Sequence, residues 1–268
     1  MAGVTFVHTL RRNWRQILYW GIGIGLLGMY VAIIVQDADI LKQYAELAKN
    51  VPPALLQMFG MNDTAALATP EGFISFGFFG YTLLILAVYA VIAGMSVTAN
   101  EEDDGILDVV LALPIPRWRV VVERFFAYAL IATAIVAVAF GGLWLGILSS
   151  ALDINVSRMV EGSINMMPSF LLMIAFTMFV GVVARRKAMA LAAAAIFIVG
   201  SYFINFLGSA ASGSLADTLQ AVSFFSYYNS EDVLLHGLNA GNVGLLLTVT
   251  AALVVGTVWS FNRRDVGL

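Results

Sequence analysis

Residues 125–148 read FFAYALIATAIVAVAFGGLWLGIL, from Phe125 to Leu148, without one charged side chain. A helix of ~20 such residues crosses the ~30 Å hydrocarbon core of a bilayer. The apolar run is continuous rather than alternating, which excludes a barrel strand. Working outward, residues 17–35, 73–99, 166–184, 188–207 and 243–261 have the same character. The expected fold is therefore an all-α integral membrane protein with six transmembrane helices. A single transmembrane domain is expected to fill residues 1–268.

Composition leads to the same class. The 268 residues are 60% hydrophobic and only 12% charged, with a mean hydropathy of +0.89. A soluble domain carries about 25% charged residues, so too little polar surface exists here to cover a water-soluble globule. The net charge of −3 decides nothing, and no basic arm interleaved with aromatics points to nucleic acid. Cysteine is absent, which removes disulfides and thiolate chemistry. Arg11, Arg12 and Arg15 precede the first apolar run as they would in a signal peptide. That run is too long for an h-region, and Val35-Gln36-Asp37-Ala38 lacks a small-x-small cleavage pattern, so it is expected to remain as the first span.

Lysine and arginine set the orientation. With the N-terminus inside, eleven of them fall on cytoplasmic segments, namely Arg11, Arg12, Arg15, Arg117, Arg119, Arg124, Arg185, Arg186, Lys187, Arg263 and Arg264. Only Lys42, Lys49 and Arg158 fall outside, so both termini are expected in the cytoplasm. Trp14, Tyr19, Trp20, Trp118 and Trp259 lie near the inner ends, where interfacial aromatics belong. The protein is expected in the cell membrane, with a prokaryotic plasma membrane as the setting. In the first outer loop, Ile40, Tyr44, Leu47 and Val51 share one helical face before Pro52-Pro53. This predicts an amphipathic helix on the outer membrane surface or over the tops of the spans, either capping the bundle or gating a substrate.

The first cytoplasmic loop departs from the rest. Glu101, Glu102, Asp103 and Asp104 precede Gly105-Ile106-Leu107-Asp108-Val109-Val110-Leu111, and Pro114 and Pro116 end the pattern. Acids at a helix N-terminus provide caps and oppose the positive pole of the dipole. The helix is too short to span, so its apolar residues must be buried against something at the cytoplasmic surface. Composition alone leaves a re-entrant or interfacial helix serving only the bundle as an equal reading.

This stretch resembles the signature of ABC-2-type ABC transporter permeases, an acid-rich run followed by G-[TI]-L-x-x-L-L-x-x-P-x-x-R. Here Gly105-Ile106-Leu107, Val110-Leu111, Pro114 and Arg117 carry it, with Glu123-Arg124 opening the third span. Phe261-Asn262-Arg263-Arg264-Asp265 is similar to the F-x-R-R-D ending of such permeases. Ile106 in place of the commoner Thr, and Val109-Val110 where Leu is frequent, are small departures. The resemblance implies that the short helix is a coupling helix seated in a groove of a separate P-loop ATP-binding subunit. Ile106, Leu107, Val110 and Leu111 would dock, and Glu101 to Asp104 would position the helix electrostatically. Arg117, Arg119 and Arg124 are assigned as anchors at the membrane interface, where Glu123 and Arg124 can snorkel.

The energy source follows from what the spans lack. No G-x-x-x-x-G-K-[ST] loop occurs in the sequence, so ATP and magnesium are expected in partner subunits, two per transporter, with no cofactor in this chain. An ion-coupled carrier would place ionisable residues near the bilayer midplane, and none of the six spans carries one near its centre. A membrane enzyme would need a catalytic cluster, yet His8 and His236 fall on opposite sides of the membrane. A scaffold without transport remains an alternative of a different class.

Six spans are half of a transporter of this kind, so a second permease subunit is expected, as homodimer or heterodimer. Gly21-x-x-x-Gly25 permits close helix approach, either within the subunit or at a dimer seam. By resemblance, the second and fifth spans line the route between subunits. Phe76, Phe79, Tyr202, Phe203 and Phe206 are the candidate lining residues, with Phe78, Tyr81 and Phe197 beside them. An apolar route suits export of an amphipathic or hydrophobic substrate.

Overall fold

The computed structural model describes residues 3–52, 67–97, 99–100, 116–150, 154–184, 186–211 and 213–263. The acidic run and short helix expected at Glu101 to Leu111 lie outside the described residues, as do Pro53 and the basic pair partner Arg264. Ten helices are described: α1 (Val4–Ile34), α2 (Ala38–Lys49), α3 (Pro70–Met95), α4 (Arg117–Leu148), α5 (Val156–Val183), α6 (Lys187–Ala210), α7 (Ser214–Val222), α8 (Phe224–Tyr228), α9 (Ser230–His236) and α10 (Ala240–Arg263). No strand occurs among the described residues. Six helices, α1, α3, α4, α5, α6 and α10, are long and apolar enough to cross a membrane.

The helices run past the expected spans. α1 starts at Val4 rather than at residue 17, α4 at Arg117 rather than 125, and α5 at Val156 rather than 166. Apolar length measures the lipid that a helix crosses, whereas backbone hydrogen bonding continues into the polar flanks. α1 and α4 extend at the arginine-rich end of the bundle, α5 at the opposite end.

Side chains at the opposite end supply the helix starts. Asp37 accepts from the amides of Asp39 (2.9 Å) and Ile40 (3.2 Å) to cap α2. Thr69 accepts from Gly72 (3.2 Å) at the start of α3, where Pro70 occupies the first turn. Asn155 and Asn229 cap α5 and α9, and Asn239 accepts from Gly241 (2.9 Å) and Asn242 (3.2 Å) at α10. Each bond satisfies a donor that a helix leaves open at its first turn. Within α3, Ser75–Gly80 widens to a π-helical turn.

α1 and α4 form the tightest pair. A Cβ placed on Gly21 would stand 2.8 Å from Val138 Cβ, and one on Gly28 would stand 2.8 Å from Phe78 and 3.0 Å from Leu143. Gly142 lies directly on the Gly25 backbone, and a Cβ on Gly146 would stand 2.6 Å from Ala32 Cβ. The seam therefore pairs Gly21-x-x-x-Gly25 with Gly142-x-x-x-Gly146 inside one chain. α5 is the central column: 67% of its apolar stretch is buried, against 22% for α6 and 17% for α10. It packs on α3, α4, α6 and α10, and Gly94 of α3 brings the Ile174 carbonyl and Thr177 close.

α2 buries a different face from the expected one. Leu41, Ala45 and Ala48 are buried, whereas Tyr44 and Leu47 are exposed and Ile40 and Val51 half-buried. The helix carries two neighbouring apolar stripes, and the one with alanines allows the closer approach to the bundle. Tyr44 still meets Phe73 edge-on, 5.3 Å between ring centres.

Candidate functional site

Two places in this bundle are candidate sites: the arginine-rich end where α3 leads toward α4, and a groove between α3 and α6.

At the arginine-rich end, the expected anchors divide. Arg119 forms an ion pair with Glu123 (Nε to Oε1, 3.2 Å) and remains one-third exposed. Trp118 is exposed beside it. Arg124 departs from the expected headgroup anchor, because its side chain is buried and donates to the Val97 carbonyl (2.5 Å) just past α3. Nearly two turns of α4 precede it, so the side chain enters the bundle instead of reaching the interface. Glu123 turns another way and accepts from the amides of Gly3 (2.9 Å), Thr5 (3.1 Å) and Phe6 (3.2 Å). Sequence reasoning gave Glu123 no structural partner; an acid opening a basic-flanked span was the available signal.

The groove has a volume of about 310 Å³. Leu84, Ala87, Val88 and Val91 of α3 form one wall, and Ala195, Ile198, Val199 and Tyr202 of α6 the other. These positions recur at the three- and four-residue spacings of a helix face. That stripe was hard to single out because both helices are apolar on every side.

Of the aromatic candidates, Tyr202 lines the groove, edge-on to Phe225 at 5.5 Å. Phe79 does not: it is fully buried in the core, as is Phe78. Phe76 packs on Tyr81 (5.3 Å), Phe203 is exposed on α6, and Phe206 is half-buried, none of them in the groove wall. Phe197 stacks on Phe176 at 3.8 Å and on Phe224 at 5.3 Å, which ties α6 to α5 and α8. Small aliphatic residues leave the hollow, and the rings fill space elsewhere.

Buried polar side chains secure the loop from α6 to α10. Asn165 of α5 donates to the Tyr228 carbonyl, and the Tyr228 hydroxyl donates to the Phe79 carbonyl (2.9 Å). Burial pushes the Tyr228 phenol above its usual pKa, so it stays a donor. Ser223 donates to the Ser201 carbonyl (2.7 Å), and Ser201 accepts from the Phe224 amide (3.1 Å). No group of three metal-ligating side chains occurs among the described residues.

Six helices long and apolar enough to span, with arginines gathered at one end, fit a multi-pass helical membrane protein. The sequence matches the model of the ABC-2 family transporter protein over residues 7–266, and the chain belongs to that family. It is a membrane permease component of an ABC transporter. No curated protein matches it.

Proposed function

We propose that the chain pairs with a second permease subunit, identical or related, and forms with it the route of an ATP-driven exporter for an amphipathic or hydrophobic substrate. Two separate P-loop subunits bind ATP and magnesium and dock on Ile106, Leu107, Val110 and Leu111. The observation that carries this reading is the apolar groove between α3 and α6, which offers an acyl or aromatic group a place between two spans. It offers no charged group to a hydrophilic solute. Spans without central ionisable residues also favour an external energy source over a proton or sodium gradient.

Replacement of Leu107 by Asp tests the docking assignment. A charge on the docking face is expected to abolish co-purification with the ATP-binding subunit while six-span insertion persists. Unchanged coupled transport by Leu107→Asp would refute the assignment. Uptake of a hydrophilic solute by vesicles holding the complex would refute the substrate class.

A further inference from the structure

Helix starts and ends need partners. At the arginine-rich end α1 has no side-chain cap of its own, while the last carbonyls of α3 accept from the amide and hydroxyl of Ser96 and the amide of Val97. α1 begins after Gly3, which has a left-handed backbone (φ 81°) and no side chain with which to cap, and no acid occupies its first turn. α3 ends at Met95 with no basic residue in its last turn. α4 adds a carboxylate at the first and a cation just beyond the second. Glu123 supplies a carboxylate to the positive pole of α1 and takes the Gly3, Thr5 and Phe6 amides. Arg124 supplies a guanidinium to the carbonyl of Val97, beyond the negative pole of α3. Neighbouring residues of a helix point ~100° apart, so one dipeptide can reach two different helices.

We infer that Glu123 and Arg124 are positioning residues that latch the start of α1 and the end of α3 to the base of α4. The consequence is mechanical. Residues 96–116 join α3 to α4, and the latch fixes Val97, where the chain enters that segment, to the helix that leaves it. A push on the segment then moves α1, the end of α3 and α4 together, instead of being absorbed by local unwinding. The glycine seam carries the movement along α1 and α4. The coupling role rests on the proposed docking of an ATP-binding subunit at that segment; the latch itself does not.

Two measurements separate the parts. Hydrogen exchange on the purified chain in lipid nanodiscs reads the latch. Glu123→Gln is expected to accelerate exchange over residues 3–6 about tenfold, and Arg124→Gln over the last turn of α3 by a similar factor, with α5 unchanged. Unchanged exchange in both variants overturns the latch. For coupling, spin labels are placed on cysteines introduced at exposed His8 and Leu191, since the sequence has none of its own. With the co-purified ATP-binding subunit, ATP and vanadate are expected to shift the distance between labels in the otherwise natural chain. Glu123→Gln and Arg124→Gln should keep ATP hydrolysis but lose most of that shift, and Glu123→Asp and Arg124→Lys should regain part of it. A full shift in the Gln variants overturns the coupling role. Loss of subunit binding in Leu107→Asp alone separates docking from latching. If no ATP-binding subunit associates, the docking proposal fails and exchange alone still judges the latch.

Discussion

Replacing Gly142 by Ala is the smallest change that tests how α1 and α4 meet. Ala is ordinarily better than Gly inside a helix by roughly 0.5–1 kcal/mol, so propensity alone favours the variant. The structure reverses that sign. The new methyl would lie on the backbone of Gly25, which has no flexible end to turn away. The helices must part by about 1 Å or more, which forfeits a quarter to a half of the dispersion energy of the facing contacts. Overpacked positions of this kind cost about 1–3 kcal/mol, so the net loss should be about 1–2 kcal/mol after the propensity gain. Gly141→Ala supplies the control one residue away, because nothing stands within reach of a Cβ there. Unfolding of both variants in mixed micelles, followed by circular dichroism, gives the comparison. Gly141→Ala should match or slightly exceed the unsubstituted protein, and Gly142→Ala should fall below it. Equal stability of the two variants would mean that α1 and α4 do not meet through this seam in the membrane.

Asn165→Leu should destabilise the protein by about 1 kcal/mol, since it leaves the buried Tyr228 carbonyl without its donor; the same unfolding assay reads it, and a neutral result would place the α8 loop elsewhere. Ala195→Trp adds an indole at an exposed groove position and should change stability by no more than about 0.5 kcal/mol. It should nevertheless reduce ATP-driven accumulation of a fluorescent amphiphile in inverted vesicles, and undiminished accumulation would remove the groove from the route.

Each span was legible because a bilayer imposes one demand that composition alone reveals: a long enough run without charge. Helix ends were less legible, because polar flanks of α1, α4 and α5 continue the backbone ladder without an apolar signal. Gly21 and Gly25 announced close packing, yet a small residue does not state its partner. Only the facing Gly142 and Gly146 show that the seam lies within the chain. The hollow lies between the second and fifth spans, and of the side chains named for a route only Tyr202 borders it. Bulky rings attract attention in a sequence, whereas hollows arise where alanine and valine leave room. Glu123 and Arg124 were read as one interfacial pair because they adjoin in sequence. A helix turns them toward different neighbours, and that divergence depends on where α1 and α3 stand.

The bundle is unevenly bound, and the unevenness indicates where it can move. α1 and α4 meet through glycines at backbone contact, and α5 is buried along two-thirds of its apolar length. Separating these elements would break close packing over many turns, so they should travel as a unit. α3 and α6 instead face one another across an open groove of about 310 Å³, and α6 leaves most of its apolar surface uncovered. Widening that junction sacrifices fewer contacts, and lipid tails or a second subunit can occupy the surface it exposes. α3 thus belongs to both regimes: Gly94 holds it to α5 near the arginine-rich end, while Leu84 and Val88 border the groove farther along. Movement imposed at the fixed end of such a helix would appear as displacement at its free wall.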